Sequence, residues 1–251
     1  MVFVTNPNLP ENPVRLAVVD CRISSEAEAE LNMLGVKLLK MQPHQSLYTA
    51  VCSHPDMLLH HIGGETIVYA PGTDPALLST LTSYGFSLLK GASLLSPAYP
   101  ADTAYNVARV GNRYFHNLKY TDPVLGEQLE KLGVEPVHVE QGYTKCSVFP
   151  LDENSIITTD AGIAKTAGKK GIEVLLLEGE RSIRLPGLNY GFIGGAGGML
   201  GKSVCCFNGN IEKIACYKDV SAFLSRKNFT LKGLSNGPVT DIGSILPLMT
   251  A

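Results

Sequence analysis

Asp74-Pro75-Ala76-Leu77-Leu78-Ser79-Thr80-Leu81-Thr82-Ser83-Tyr84-Gly85 and Asp122-Pro123-Val124-Leu125-Gly126-Glu127-Gln128-Leu129-Glu130-Lys131-Leu132-Gly133 carry one pattern at identical offsets. Each reads as one amphipathic helix. The Asp caps the first free amides, and Pro takes the first helical position, where no amide is missed. Leu77, Leu81 and Tyr84, like Leu125, Leu129 and Leu132, fall on one face at helical spacing. Gly85 and Gly133 end the helices in the left-handed conformation that a side chain opposes. Ser24, Ala27, Leu31, Leu34 and Gly35 fit the same template, and Ser25 with Glu28 suggests a capping box. Asp160, Ile163, Ala167 and Gly171 fit it too, and Val220, Leu224 and Asn228 form a degraded fifth copy with Asn as terminator.

A short apolar run follows every terminator: Val36 to Leu39, Phe86 to Leu89, Val134 to Val139, Ile172 to Leu177 and Phe229 to Leu231. These read as strands. Turn pairs precede the helices: Gly63-Gly64, Gly111-Asn112, Glu153-Asn154 and Asn208-Gly209 predict hairpins. The repeating unit is thus strand, hairpin, strand, helix, strand, occurring about five times over residues 1–251 as a single domain. Uneven spacing places insertions at 92–104 and 179–190. The first unit lacks a hairpin before its helix, and Val239 to Leu248 is expected to supply the missing strand and close a ring, since closure removes exposed edges.

Composition narrows the class. Of 251 residues, 45% are apolar and 18% charged, which suits a packed core and excludes bulk disorder. The net charge of −2, with basic residues scattered, gives no support for nucleic-acid or membrane-surface binding. No apolar run is long enough to span a bilayer. Residues 1–13 show no basic-then-apolar signal pattern, so the cytoplasm is the expected location. The six cysteines form no CxxC and fit no zinc spacing with histidine, so most read as buried thiols, and neither a metal nor a cofactor is expected.

Five ββαβ units in this length resemble the pentein architecture, a five-fold pseudosymmetric β/α-propeller of class α/β. That architecture includes arginine and agmatine deiminases, dimethylarginine hydrolases and amidinotransferases, and also a translation initiation factor that is not an enzyme. The run from Gly142 to Gly198 resembles an uncharacterised bacterial family of this fold. The resemblance implies a cysteine thiolate that attacks a guanidinium carbon, a histidine acid/base, and carboxylates that grip the guanidinium. The enzymes hold that cysteine near the C-terminus, whereas the fifth-unit loop here, Tyr190 to Gly198, contains none.

In such a ring the starts of the first strands face the central channel, where a small-molecule ligand is expected. Those starts are Ser53 to Asp56, Tyr105 to Arg109, Gln141 to Cys146 and Asn189 to Gly195, with Asp20 and Asp241 from the first unit. Cys146 is the candidate nucleophile, because the adjacent Lys145 cation favours a thiolate. His54 can move the proton, and Asp56 can orient an imidazolium or bind a cation. Asn106, Arg109, Lys145, Asp20, Asp241, Gly194 and Gly195 are candidate ligand-binding residues, with Arg109 able to clamp a substrate carboxylate. Each has a plainer reading: a buried thiol, a His-Pro-Asp turn, a salt-bridged arginine, or glycines that permit close backbone approach. His60-His61 are expected at the surface or in a hairpin, and on a strand they face opposite sides.

Ala196 to Ser203 fits a relaxed phosphate-loop pattern, but Val204-Cys205-Cys206-Phe207 follows as a strand where a phosphate loop requires a helix. Nucleotide binding is therefore the weakest reading. The leading one is a cysteine-dependent hydrolase or transferase acting on a guanidino-type or related small molecule, and the alternative is a noncatalytic ring that binds a ligand or a macromolecular partner.

Overall fold

The computed structural model of the protein describes residues 1–251. In chain order the elements are β1 (Val2–Phe3), β2 (Val14–Asp20), α1 (Ser25–Met33), β3 (Lys37–Met41), α2 (Pro55–Leu58), β4 (Leu59–Gly63), β5 (Thr66–Tyr69), α3 (Pro75–Ser83) and β6 (Ser87–Lys90). They continue with β7 (Ala108–Val110), β8 (Arg113–His116), α4 (Pro123–Lys131), β9 (Glu135–His138), α5 (Thr144–Ser147), β10 (Val148–Asp152), β11 (Ser155–Thr158), α6 (Ala161–Lys169) and β12 (Glu173–Leu176). The last set is β13 (Gly197–Gly201), β14 (Val204–Phe207), α7 (Tyr217–Arg226), β15 (Thr230–Gly233) and β16 (Leu246–Thr250).

The helices start where side-chain acceptors meet free amides. Asp74 accepts from Ala76 N at 3.1 Å, Asp122 from Leu125 N at 3.0 Å and Asp160 from Ile163 N at 2.8 Å. In α1 the cap is Ser24, accepting from Ala27 N, and the expected Ser25–Glu28 box does not form, because Ser25 is already helical and Glu28 pairs with Lys40. Asn228 does end the last copy with φ of 59°, as the glycine terminators do. The buried faces are those of the repeat: Leu77 and Leu81 of α3, Leu125 and Leu129 of α4, Ile163 and Ala167 of α6. Burying each leucine contributes about 2 kcal/mol, which is what pins a nine-residue helix to its sheet.

Four sheets are three-stranded, in the orders β4-β5-β6, β7-β8-β9, β10-β11-β12 and β13-β14-β15, each with an antiparallel hairpin followed by a parallel return strand. The fifth, β1-β16-β2-β3, is closed by the chain's last strand, with Leu246 opposite Val18 and Thr250 opposite Val14. The first strands touch one another around the axis, β7 with β10, β10 with β13 and β13 with β16.

Two local expectations are corrected. The fifth hairpin turns at Lys202-Ser203, between β13 and β14, and not at Asn208-Gly209, which follows β14 and packs against Pro238 and Val239. The starts of the first strands in units two and four are single helical turns, α2 and α5, so adjacent side chains there need not face opposite ways. The 92–104 insertion is tied to the ring by Asp122, whose second oxygen accepts from Ala92 N and Ser93 N. No helix is long and apolar enough to cross a membrane.

Candidate active site

The axis ends in a polar floor built from α2, α5 and the loop before β16. Asn106, just ahead of β7, sets the geometry of α5. Its side-chain oxygen accepts from Lys145 N at 2.9 Å and Cys146 N at 3.2 Å, while its amide nitrogen donates to Asp56 O and lies 3.1 Å from Cys146 Sγ. Thr144 locks the same turn, accepting from Ala108 N with its hydroxyl 2.7 Å from Phe115 O. Cys146 Sγ sits 3.4 Å from both Asp56 oxygens, so the thiol points at a carboxylate. Lys145 runs the other way. Its ammonium donates to Ser244 Oγ at 2.7 Å, and the Ser244 hydroxyl donates to Asp56 at 2.7 Å.

His54 caps α2 and is buried, with neither ring nitrogen in a hydrogen bond. Two carboxylates flank it: Asp20 Oδ2 is 4.0 Å from Nε2, and Asp241 Oδ1 is 3.8 Å from Nδ1. Gly243 makes this seat, since a Cβ there would run into His54 Cβ and Cγ, and its φ of 65° suits glycine. Asp20 is held by the Arg22 fork and by Ser53 Oγ at 2.9 Å. Burial works to raise its pKa, but the hydrogen bonds and charge of Arg22 outweigh it and keep the carboxyl ionised. Asp241 accepts from Phe192 N and Gly243 N; burial first, then the charge of Asp56, pushes its pKa up despite His54.

The Cys146 thiol differs from its sequence-based expectation. Burial pushes its pKa well above the ordinary thiol range, Asp56 and Asp241 push it further, and Lys145 opposes them only weakly. The lysine charge is spent on the Ser244–Asp56 chain, and burial lowers its own pKa. Without a ligand, Cys146 is a protonated thiol donating toward Asp56. His54, Asp56 and Cys146 bring one donor atom each within 4.8 Å of one another, a set that could ligate a soft metal once the thiol proton left.

Above the floor opens a cavity of about 260 Å³ reached by His54, Cys146 and Asp241. Its walls are Tyr48, Val51, Tyr143, Leu185, Leu188, Asn189, Tyr190 and Phe192. Tyr143 is fixed by a hydrogen bond to Asp102.

The structure therefore gathers Cys146, His54, Asp56, Asn106, Lys145, Asp20 and Asp241 at one point. Gly194 contributes its carbonyl to Lys145, and Gly195 packs against the Asp241 carboxyl where any Cβ would collide. Arg109 is not brought there. Its guanidinium donates to Ile62 O and Gly111 O at the hairpin end of the ring, and it clamps nothing in the cavity. His60 and His61 are buried, not on the surface, and His61 bonds Gly64 O within its hairpin. Lys202 is an exposed turn residue paired with Glu11, and the strand that follows leaves no helix to receive a phosphate. Sequence reading missed Ser244, which lies in the run taken only as a closing strand, and Arg22, whose role depends on the loop carbonyls of Thr49 and Ala50 that it also reaches.

The ring of ββαβ units with its axial site defines the pentein fold. An inosamine-phosphate amidinotransferase from Streptomyces griseus superposes with a TM-score of 0.59 at 14% identity, covering 100% of this chain and 97% of that one. A C. jejuni agmatine deiminase with substrate bound gives 0.60 at 11% identity, covering 99% and 96%. DDAH from Pseudomonas aeruginosa complexed with citrulline gives 0.55 at 11% identity, covering 89% and 92%. The chain belongs to DUF6873, a family of unknown function, which matches residues 18–246. No curated protein matches it.

Proposed function

We propose that the axial site carries out cysteine-dependent substitution at the carbon of a guanidino-type cation, as a hydrolase or transferase. The observation that carries this reading is the Cys146 thiol 3.4 Å from the Asp56 carboxylate at the foot of an open cavity. A cation entering that cavity meets Asp241, which lines it, with Asp56 just behind the Cys146 thiol. Its charge offsets the repulsion those carboxylates exert on a thiolate, so binding itself favours deprotonation. Asp56 takes the thiol proton, and sulfur forms a bond to the central carbon while the C=N electron pair moves onto nitrogen. His54, flanked by Asp20 and Asp241, acts as the acid that gives a proton to the departing nitrogen, and the C–N bond breaks. Water or an amine then attacks the amidino-thioether carbon with His54 as base. Sulfur leaves and recovers its proton from Asp56, giving hydrolysis or transfer respectively.

The raised thiol pKa also favours a second reading, a noncatalytic ring that binds a cationic ligand. One labelling experiment separates them. Chloroacetamidine is cationic and chloroacetamide is neutral at the same reach, so the proposal expects Cys146 to react many-fold faster with the cation at pH 7.5, with the preference lost in Asp56→Asn. Equal rates, or no labelling of Cys146 by either, would leave the binding ring as the better account. Ammonia release from a guanidine panel, absent in Cys146→Ser, then tests turnover.

A further inference from the structure

The cavity walls say what the rest of the ligand looks like. Tyr48, Tyr143, Tyr190 and Phe192 line it with aromatic rings, and Leu185 and Leu188 add apolar surface. Leu188 is 50% exposed, an uncovered apolar side chain at the mouth. Phe192 sits between Tyr143 and Tyr190, at centroid separations of 6.5 and 6.1 Å, so the wall is a continuous aromatic strip.

The charge inventory is one-sided. No lysine or arginine lines the cavity. Lys145 is buried behind it on Ser244 and Gly194, Arg22 is locked on Asp20, and Arg109 is at the far end. Outside the lining, the Arg181 guanidinium carbon lies over the Tyr190 ring, 3.9 Å from its centroid. A substrate carboxylate would thus be desolvated against aromatic and leucine side chains, with Asp241 below it and no lysine or arginine in the lining to meet it.

Resting on the guanidino-type reading of the floor, we propose that the site selects a carboxylate-free, singly charged guanidine with an aryl or branched-alkyl body, and rejects arginine-like amino acids. The guanidinium sits at Asp241 beside Cys146, with Asp56 just behind the thiol. The apolar body packs against Phe192 and Tyr143, whose rings are tilted by only 31° to one another.

Thermal-shift and calorimetric titration of the wild-type protein test this with benzylguanidine, arginine and neutral benzylurea. The expected result is benzylguanidine binding roughly 100-fold more tightly than arginine, whose carboxylate would be desolvated without a partner, with benzylurea failing to bind. Arginine binding as well as benzylguanidine overturns the inference and leaves the floor reading intact. If benzylurea matches benzylguanidine, or neither guanidine binds, the floor reading itself falls. Leu188→Arg, at an exposed position that does not disturb the core, should raise arginine affinity at least tenfold; no gain would mean that the wall does not set the preference.

Discussion

α2 and α5 occupy the same place in the repeat, each a single helical turn ahead of a first strand, and they match residue for residue. His54 and Tyr143 cap them, Pro55 and Thr144 come first, then Asp56 and Lys145, then Met57 and Cys146. The backbone obeys the pseudosymmetry and the chemistry breaks it. At one position the two units supply opposite charges, and Ser244 bridges them across the axis. The caps differ as sharply: Tyr143 is tied to Asp102, whereas both nitrogens of His54 are free to act. Repetition builds a rigid ring, and a few substitutions at equivalent positions turn it into a site with a sign and a direction.

The strongest way to break this pairing is to remove one charge. Lys145→Met leaves Asp56 and Asp241 buried without their cation and should cost about 3–5 kcal/mol in urea unfolding. Adding Asp56→Leu should restore a large part of that loss; strict additivity of the two changes would mean that the charges are not coupled through Ser244.

The histidines around α2 and α5 sharpen the comparison through pH. Burial lowers the pKa of His60 to about 3, and of His61 and His116 to about 4. His116 lies directly beneath α5, with Nε2 2.9 Å from Gly142 O. All three stay neutral in the fold and charge at about 6.5 when unfolded, so their contribution is full above that pH and is lost as pH falls toward 4. Each can remove up to about 1.4 kcal/mol per pH unit in that window, with Asp241, whose pKa is raised, working in the opposite sense. Urea midpoints at pH 7.5 and 5.5 should therefore differ clearly, and His116→Gln should reduce the difference; a flat profile contradicts neutral burial.

A smaller effect comes from a second pair of equivalent positions. Asp74 is a half-exposed cap, and Asp74→Ala should cost about 1 kcal/mol. Asp122 caps α4, anchors the 92–104 insertion and is buried beside Tyr105, so Asp122→Ala should cost about 3 kcal/mol. Equal losses would show that the insertion is not held there.

Much of this ring was legible in the sequence because its determinants are local. A cap, an apolar stripe and a left-handed terminator lie within a dozen residues, and the pattern recurs. The fifth hairpin was misplaced because Asn208-Gly209 has turn chemistry, while the true turn, Lys202-Ser203, has none to see. At the site, Cys146, His54 and Asp56 were picked out by residue type and the structure gathers them, but Lys145 does not make the thiolate expected of it, because its ammonium turns away to Ser244. The thiol's protonation was not legible. It depends first on burial, then on Asp56, and then on Asp241, which approaches from the far end of the chain and meets His54 only because Gly243 leaves room.

Ring closure has a consequence for how the protein is made. β16 lies between β1 and β2, yet residues 246–250 emerge from the ribosome more than two hundred residues after Val14–Asp20. Throughout synthesis β2 carries one bare edge on a strand rich in valine, the kind of surface that pairs with a second nascent chain. The last strand is therefore a latch. Blades two to five can form as they are translated, but the axial site, which needs Asp20 from β2 and both Asp241 and Ser244 from the approach to β16, is assembled only once that last segment has been made. Closure and completion of the axial site are thus one event: a chain truncated before its closing strand lacks the residues that finish it.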